Sequence, residues 1–150
     1  MGAGSMQKAA CSRLGESEMK HGIYYAYWED AWQADYLPYI QKVAGLGFDL
    51  LEIGAAALPS YSDQKMAEIR ACAADCGITL TCGYGPRKDQ NLASADPVVR
   101  AEAKAFFTDL LQRMEKMDIH LIGGGLYSYW PVDYSEPIDK VADWGRSVEG

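Results

Sequence analysis

Tyrosine and tryptophan side chains lie beside glycines after several short apolar runs of the sequence. The densest example is GGGLYSYWPVDY at 123–134, which follows the run IHLI at 119–122. Such rings combine an apolar face with a hydroxyl or indole N–H, and neighbouring glycines leave backbone amides accessible. That combination suits a small polyol, which has one C–H face and several hydroxyl groups. The residues concerned are Tyr24, Tyr25, Tyr27, Trp28, Trp32, the stretch 83–86, Gly125, Leu126, Tyr127, Tyr129 and Trp130.

The pattern therefore predicts a sugar pocket, with one alternative left open. Tyr and Trp are also common at the rims of barrels, where they cap the hydrophobic core without touching a ligand. Composition does not separate these two interpretations for any single ring.

Few residues have the types and positions expected of catalytic groups. Glu52 ends a predicted strand, and a carboxylate there lies where parallel α/β folds place their active sites, so it either acts on the substrate or orients a neighbour. His21 begins a predicted strand, on the opposite end from such a site, and is interpreted as a surface residue. His120 lies within another predicted strand and is interpreted as a structural residue. The sequence has no HxxxH or HExxH metal motif and no Gly-x-Ser-x-Gly elbow.

Strand and helix patterns alternate along the chain and must position these residues. The predicted strands are 22–27, 48–53, 78–82 and 119–122. Helical spacing of apolar residues follows each strand: 36–46, a helix capped by Ser62 or Asp63 and stopped by Gly77, a helix opened by Asp96-Pro97, and a last one opened by Glu136-Pro137. The second helix is expected to have an apolar inner face. Its residues are Met66, Ile69, Ala73 and Cys76. The third helix carries apolar residues at Val98, Ala105, Phe106, Leu110, Leu111 and Met114, and the last has them on one side at Ile138, Val141, Ala142, Trp144 and Val148.

Four successive strand-helix units require a parallel sheet, because each return to a neighbouring strand crosses over through a helix. The fold class is α/β, either a doubly wound open sheet or a (βα)4 half of a TIM-type (β/α)8 barrel. The dinucleotide fingerprint GxGxxG is absent, since Pro86 interrupts the glycines after the third strand. The barrel half is favoured.

Composition excludes several classes of function. Asp and Glu outnumber Lys and Arg by 21 to 14, so the net charge of −7 disfavours nucleic acid as a partner. No apolar run approaches the ~20 residues that cross a bilayer, so we expect a soluble, non-membrane protein. Cys11, Cys72, Cys76 and Cys82 form no CxxC pair and are interpreted as free thiols, which favours the cytoplasm. Residues 1–18 are predicted to be a mobile leader or tag, and residues 19–150 the folded unit.

Several long segments resemble one enzyme family. They are MKHGIYYAYWE at 19–29, KVAGLGFDLLEI at 42–53, GITLTCGYGP at 77–86, KAFFTDLL at 104–111 and DIHLIGGGLYSYWPVDY at 118–134. From Met19 to Gly150 the sequence resembles the N-terminal half of the ketose 3-epimerases, the D-psicose (D-allulose)/D-tagatose 3-epimerase family.

The resemblance implies a xylose-isomerase-like barrel that interconverts D-fructose and D-psicose at C3 with a divalent metal ion, Mn²⁺ or Co²⁺. It implies that a cis-enediolate forms, that D-tagatose is a further ketohexose substrate, and that the enzyme is a dimer or tetramer. It places all the metal ligands and both catalytic carboxylates beyond Gly150. No catalytic or metal residue is therefore expected in this chain, which should be inactive alone and should dimerise or aggregate through its open strand edges.

Carried over residue by residue, the resemblance gives only a substrate-facing wall. Tyr24 matches a tyrosine near the substrate, Gly83 a glycine that leaves room for the sugar, and Trp130 a tryptophan in the apolar part of the pocket. Gly125 stands where relatives usually have alanine, with its backbone near the substrate. Glu52 matches a family acid of unassigned role. The alternatives are another xylose-isomerase-like sugar isomerase and a non-catalytic sugar-binding or interaction half-barrel.

Overall fold

The computed structural model describes residues 19–32, 34–135 and 137–150. The predicted leader, residues 1–18, lies outside the described residues, so its prediction stands untested. Four strands and four longer helices alternate along the described chain: β1 Gly22–Tyr24, α1 Tyr36–Gly45, β2 Leu50–Gly54, α2 Asp63–Cys76, β3 Thr79–Tyr84, α3 Pro97–Lys116, β4 Ile122–Gly124 and α4 Lys140–Glu149. Short 3-10 helices cover Tyr25–Tyr27, Ala55–Ser60 and Lys88–Gln90.

The strands form one parallel sheet in the order β1-β2-β3-β4. Its register pairs Tyr24 with Glu52, Glu52 with Thr81, and Gly83 with Gly123. Sequence neighbours are therefore also sheet neighbours, which is the arrangement of four consecutive units of a (β/α)8 barrel. The predicted α/β class and four-stranded partial barrel are confirmed.

Helix ends follow the local sequence signals. The Ser62 hydroxyl accepts the backbone N–H of Lys65 at 3.2 Å, and Gly77 ends α2 in the left-handed conformation with φ 68°. Asp96 accepts the N–H of Val98 at 2.8 Å, with Pro97 at the first helical position of α3. These predicted boundaries are confirmed because capping depends on residues close in sequence.

The hydrophobic core lies between one face of the sheet and helices α1 to α3. Strand residues that alternate along β2 and β3 point into it, and each large side chain that is fully buried contributes roughly 1.5–3 kcal/mol of transfer free energy. The core includes Leu51, Ile53, Leu80 and Cys82 from the strands, and Ile40, Val43, Met66, Ile69, Ala73, Leu110 and Met114 from the helices.

The first and last strands differ from the predicted ranges. β1 ends at Tyr24 because the chain turns into the 3-10 helix Tyr25–Tyr27. β4 is Ile122–Gly124 and not 119–122, because Gly123 and Gly124 pair with β3. Glycine permits this pairing at Gly124, where φ is 119° and an added Cβ would lie 2.0 Å from the Tyr84 carbonyl oxygen.

Helices α3 and α4 differ in detail from what the sequence pattern indicates. Val98, Ala105 and Leu111 are exposed on α3, where Ala103 is buried in their place beside Leu110 and Met114. α4 begins at Lys140, because the Asp139 carboxylate caps it by accepting the N–H groups of Val141 and Ala142. Pro137 therefore precedes the helix, and Glu136 lies outside the described residues.

The apolar side of α4 is exposed. Val141, Trp144 and Val148 are 84%, 73% and 71% exposed; we call these three residues the α4 face. Hydrogen bonds join α4 to the rest of the fold: Arg146 Nε donates to the Ala93 carbonyl at 2.7 Å, and Lys104 Nζ donates to the Glu149 carbonyl at 3.1 Å. Across the described ranges, no helix has both the length and the apolar character to cross a bilayer.

Candidate active site

Tyr24 closes β1 at the carboxyl end of the sheet, where parallel α/β folds bind their ligands. Its half-buried ring packs edge-on against Tyr25, with 4.8 Å between ring centroids. Burial, the neighbouring Tyr25 and the negative charge of Glu52 together raise the pKa of the Tyr24 phenol to about 12. The Tyr24 hydroxyl therefore stays neutral through the physiological pH range and can both donate and accept a hydrogen bond.

Glu52 lies beside Tyr24 in the sheet register, and its half-buried side chain reaches across to β3. An ideal Cβ built on Gly83 would lie 2.6 Å from Glu52 Oε1. The Glu52 carboxylate thus occupies the space beside Gly83 that a side chain would fill. Thr81, paired with Glu52 and buried, lies at the same level of the sheet.

Trp130 is fixed against the segment that follows β3. Its backbone N–H donates to the Pro86 carbonyl at 2.7 Å, and a Cβ on Gly85 would lie 3.5 Å from Trp130 Cβ. A cis peptide bond joins Trp130 to Pro131, and 67% of the Trp130 surface stays exposed. The backbone of Trp130 is therefore fixed by these contacts, whereas most of its side chain is exposed to solvent.

Gly125 opens the turn that leads to Trp130. The Gly125 carbonyl accepts the N–H of Ser128 at 3.2 Å, and the residue is half-buried. A Cβ at Gly125 would meet no described atom within 4 Å, so alanine fits here without displacing its surroundings.

An ion pair closes the same edge of the site. Lys88 Nζ lies 3.0 Å from Asp133 Oδ2 and 6.0 Å from the centre of the Tyr129 ring. Bonds from the Ser135 hydroxyl and amide, followed by the charge and hydrogen bond of Lys88, hold the pKa of the Asp133 carboxyl well below its ordinary value. The Tyr129 hydroxyl accepts the Asp133 N–H at 3.1 Å. The segments after β3 and β4 are thus joined by several contacts.

Other rings of the predicted pocket lie elsewhere. Tyr25 is 1% exposed and its hydroxyl donates to the Ala31 carbonyl, while buried Tyr84 donates to the Gln90 side chain. These two rings belong to the core, as the alternative interpretation held. Trp28 stacks on Tyr39 under the Lys42 ammonium. Tyr27, Trp32 and Tyr127 are largely exposed.

Both histidines lie at the amino ends of strands. Exposed His21 precedes β1, where its backbone N–H donates to Asp49, as expected of a residue far from the site. His120 was predicted to lie within the fourth strand, but it precedes β4, which begins at Ile122. Its side chain is exposed, and its ring Nε2 lies 2.9 Å from Asp118 Oδ1.

The three described cysteines, Cys72, Cys76 and Cys82, are free thiols. Burial and then the charge of Glu52 raise the pKa of the Cys82 thiol to about 12, so it remains a neutral core residue. Within the described part of the chain, no three His, Cys, Asp or Glu side chains gather as metal ligands. Glu52 alone does not make a metal site, because a bound divalent ion needs several ligands.

Sequence reasoning missed one member of this end of the sheet, Thr81. Thr81 carried a usable signal, because the period of two along TLTCGY places Thr81 and Gly83 on the face opposite to Leu80 and Cys82. The support of Trp130 by Gly85 and Pro86 joins two distant segments and had no local signal.

Comparisons with known proteins agree with this architecture. The family model described as xylose isomerase-like TIM barrel matches residues 40–149. The D-psicose 3-epimerase of Ruminiclostridium cellulolyticum is 65% identical over 131 residues, which are 87% of this chain and 45% of the relative. That of Agrobacterium fabrum is 57% identical over 132 residues, covering 88% of this chain and 46% of the relative.

Solved structures give the same picture. The D-psicose 3-epimerase of Clostridium cellulolyticum H10 with D-tagatose matches with a TM-score of 0.86 at 65% identity, over 87% of this chain and 45% of that one. A D-psicose 3-epimerase structure determined in the presence of D-fructose matches with a TM-score of 0.85 at 56% identity. The match again covers 87% of this chain and 45% of that one. An L-ribulose 3-epimerase, 20% identical over 87% of this chain and 42% of its own, shares the fold with a TM-score of 0.69.

The matches confirm the resemblance to the N-terminal half of the D-psicose 3-epimerases. The chain spans about 45% of the length of these relatives. Its family model, sheet order and similar structures agree, and the chain belongs to the xylose isomerase-like TIM barrel family.

Proposed function

We propose that this chain is the substrate-facing half of a ketose 3-epimerase, which interconverts D-fructose and D-psicose by proton transfer at C3. The observation that supports this most is the 65% identity over 131 residues to a D-psicose 3-epimerase. The positions of Tyr24 and Trp130 at the carboxyl end of the sheet add to that support.

Each wall residue has a part in holding the sugar. The neutral Tyr24 hydroxyl exchanges hydrogen bonds with a sugar hydroxyl, and the free face of Trp130 covers the C–H side of the ketose. The backbone at Gly125 contacts the substrate, and Glu52 and Gly83 lie beside Tyr24 at the same end of the sheet. Together these groups fix which carbon faces the second half of the barrel.

Epimerisation at C3 needs two proton-transfer groups on opposite faces of the sugar, because the product is inverted. One carboxylate removes the C3 proton, a cis-enediolate forms, and a second carboxylate returns a proton to the other face. We assign both carboxylates to the second half of the barrel. The divalent ion that the resemblance implies, Mn²⁺ or Co²⁺, supplies positive charge that stabilises the oxyanion when bound, and its ligands belong to that second half.

The remaining proposals concern partners and location. The substrates are ketohexoses, D-fructose, D-psicose and D-tagatose, and the complete protein forms a homodimer or homotetramer. The free thiols of the described chain favour the cytoplasm.

A chimera tests the proposal. Residues 19–150 are joined to the second half of the Ruminiclostridium cellulolyticum D-psicose 3-epimerase, its 65% identical relative. We expect the purified chimera to convert D-fructose to D-psicose with Mn²⁺ and the chain alone to show no turnover. The second half alone serves as the control.

Two outcomes would refute the proposal. A folded, metal-loaded chimera that leaves both ketohexoses unchanged would show that residues 19–150 do not form the substrate-facing half. A chimera that produces an aldose from D-fructose would assign a sugar isomerase instead, because the proton would have moved between C1 and C2.

A further inference from the structure

Gly83 and Glu52 are sterically linked across two strands. A Cβ on Gly83 would lie 2.6 Å from Glu52 Oε1, 3.4 Å from Cδ and 3.7 Å from Cγ. Real Cβ atoms do not approach an oxygen this closely, so a side chain at position 83 would displace the carboxylate. All three atoms nearest to that Cβ belong to Glu52. The space that glycine leaves is therefore filled by a side chain of this protein.

The Glu52 carboxylate lacks a donor in the described part of the chain. Within residues 19–32, 34–135 and 137–150 it forms no hydrogen bond or ion pair, although it is half-buried. The ionisable groups that sense its charge are Tyr24 and Cys82, and both are neutral at physiological pH because their pKa values are raised. A partly desolvated carboxylate gains free energy from any donor that reaches it.

The neighbours of Glu52 leave that acceptor available on the sheet face away from the helices. Glu52 shares its register level with Tyr24 and Thr81, whereas Leu51 and Ile53, one residue to either side, point into the core. The described residues thus present a phenol hydroxyl and a carboxylate side by side at the carboxyl end of two strands. A vicinal diol of a sugar matches such a pair of hydrogen-bonding groups.

We propose that Gly83 lacks a side chain to give space to the Glu52 carboxylate, and that this carboxylate, held in that space, binds the ketohexose by accepting one of its hydroxyl groups. The proposal rests on the proposed function for the identity of the ligand. It differs from the family-based interpretation of Gly83, in which the glycine leaves room for the sugar itself.

An NMR experiment on the chain itself tests the steric link between Gly83 and Glu52 and does not depend on enzymatic activity. The side-chain carboxyl ¹³C resonance of Glu52 is assigned by its loss in Glu52→Gln. We expect Gly83→Ala to shift this resonance and the control Gly123→Ala to leave it unchanged, since a Cβ at Gly123, the register partner of Gly83, meets nothing within 4 Å. An unchanged resonance in Gly83→Ala would overturn the steric link.

A double-mutant cycle in the active chimera tests the role in substrate binding. We expect Glu52→Ala and Gly83→Ala each to raise KM for D-fructose about tenfold or more, the effect of losing one hydrogen bond to a charged group. In the Glu52→Ala background, Gly83→Ala should add less than about twofold, because no carboxylate remains to be displaced.

The cycle separates the two roles of Gly83. Equal KM effects of Gly83→Ala with and without Glu52 would show that the glycine makes room for the sugar directly, and would overturn the proposal. Unchanged KM in Glu52→Ala would overturn it as well. An inactive parental chimera would refute the proposed function and leave this proposal open to a second test. In that test the Glu52 carboxyl resonance of the chimera is measured with and without D-fructose. A shift of the resonance would support binding of the sugar by Glu52, and an unchanged resonance would overturn the proposal.

Discussion

The backbone N–H of Trp130 donates to the Pro86 carbonyl over 2.7 Å, and this bond ties the segment after β4 to the segment after β3. Gly85 packs against the same residue, with 3.5 Å from its ideal Cβ to Trp130 Cβ. The Trp130 side chain contributes its exposed face, while its backbone supplies the link. Substitutions of the side chain should therefore separate binding from stability.

Trp130→Ala should weaken sugar binding and leave folding nearly intact. The ring is 67% exposed, so we expect the free energy of unfolding to change by less than about 1 kcal/mol. In the chimera, KM for D-fructose should rise about tenfold, because a ring that covers the sugar is lost. Tyr134→Ala, an exposed ring of the same segment, is the control and should leave KM unchanged. Equal KM values for Trp130→Ala and the parent chimera would show that the Trp130 ring does not contact the substrate.

Adjacent glycines should respond oppositely to alanine. Gly124 has φ 119°, and a Cβ there would lie 2.0 Å from the Tyr84 carbonyl oxygen, so Gly124→Ala should destabilise the fold by more than about 2 kcal/mol. Gly125→Ala has open space and should be neutral or stabilising by about 0.4–1 kcal/mol through the unfolded state. Urea unfolding of both variants measures the difference. Similar midpoints for the two would contradict this account of β4.

Tyr36→Phe should lower the free energy of unfolding markedly, although it removes only one oxygen atom. The buried Tyr36 hydroxyl donates to the Gly54 carbonyl and accepts the Gly54 N–H, both at 3.2 Å. Without it two backbone groups of β2 lose their partner, which costs roughly 1–3 kcal/mol. Tyr39→Phe is the matched control, because it loses a bond to Glu29 in a more open position. Urea unfolding should show the larger loss for Tyr36→Phe, and equal losses would contradict the assigned role.

Stability should fall between pH 10 and pH 12. Burial is the largest cause that raises the pKa of Tyr24 and of Tyr61 from the ordinary value of about 10 to about 12. A tyrosine whose folded-state pKa is raised stabilises the fold fully below the unfolded pKa of about 10, and that contribution is lost as pH rises through the folded value. Tyr24→Phe should flatten the alkaline part of the curve of urea midpoint against pH. An unaltered slope in Tyr24→Phe would contradict the raised pKa.

The α4 face should make the isolated chain associate with itself. Trp144 is 73% exposed at the centre of this apolar surface, between Val141 and Val148. Val141→Lys should increase the monomer fraction in sedimentation velocity, since it places a charge on that surface. Lys140→Ala, which adds no charge to the surface, is the control. A fully monomeric parent chain would contradict the prediction.

Local signals explain which parts of the fold the sequence predicted well. The caps at Ser62, Gly77 and Asp96 depend on neighbouring residues, and the alternation of apolar runs gave the order of strands and helices. The predicted position of β4 was wrong because Gly123 and Gly124 have the composition of a turn, although both pair with β3. The contact of Gly83 with Glu52 joins residues 31 positions apart, which no sequence period reports. The exposed α4 face shows the remaining limit, because apolar spacing predicts a buried side and the described residues do not cover it.

The most direct measurement of the central claim is the product that the chimera forms from D-fructose in the presence of Mn²⁺, identified by chromatography against authentic D-psicose. The account predicts D-psicose from the chimera, and none from the chain or the second half alone. A folded, metal-loaded chimera that forms no D-psicose would contradict the claim that residues 19–150 are the substrate-facing half of a ketose 3-epimerase.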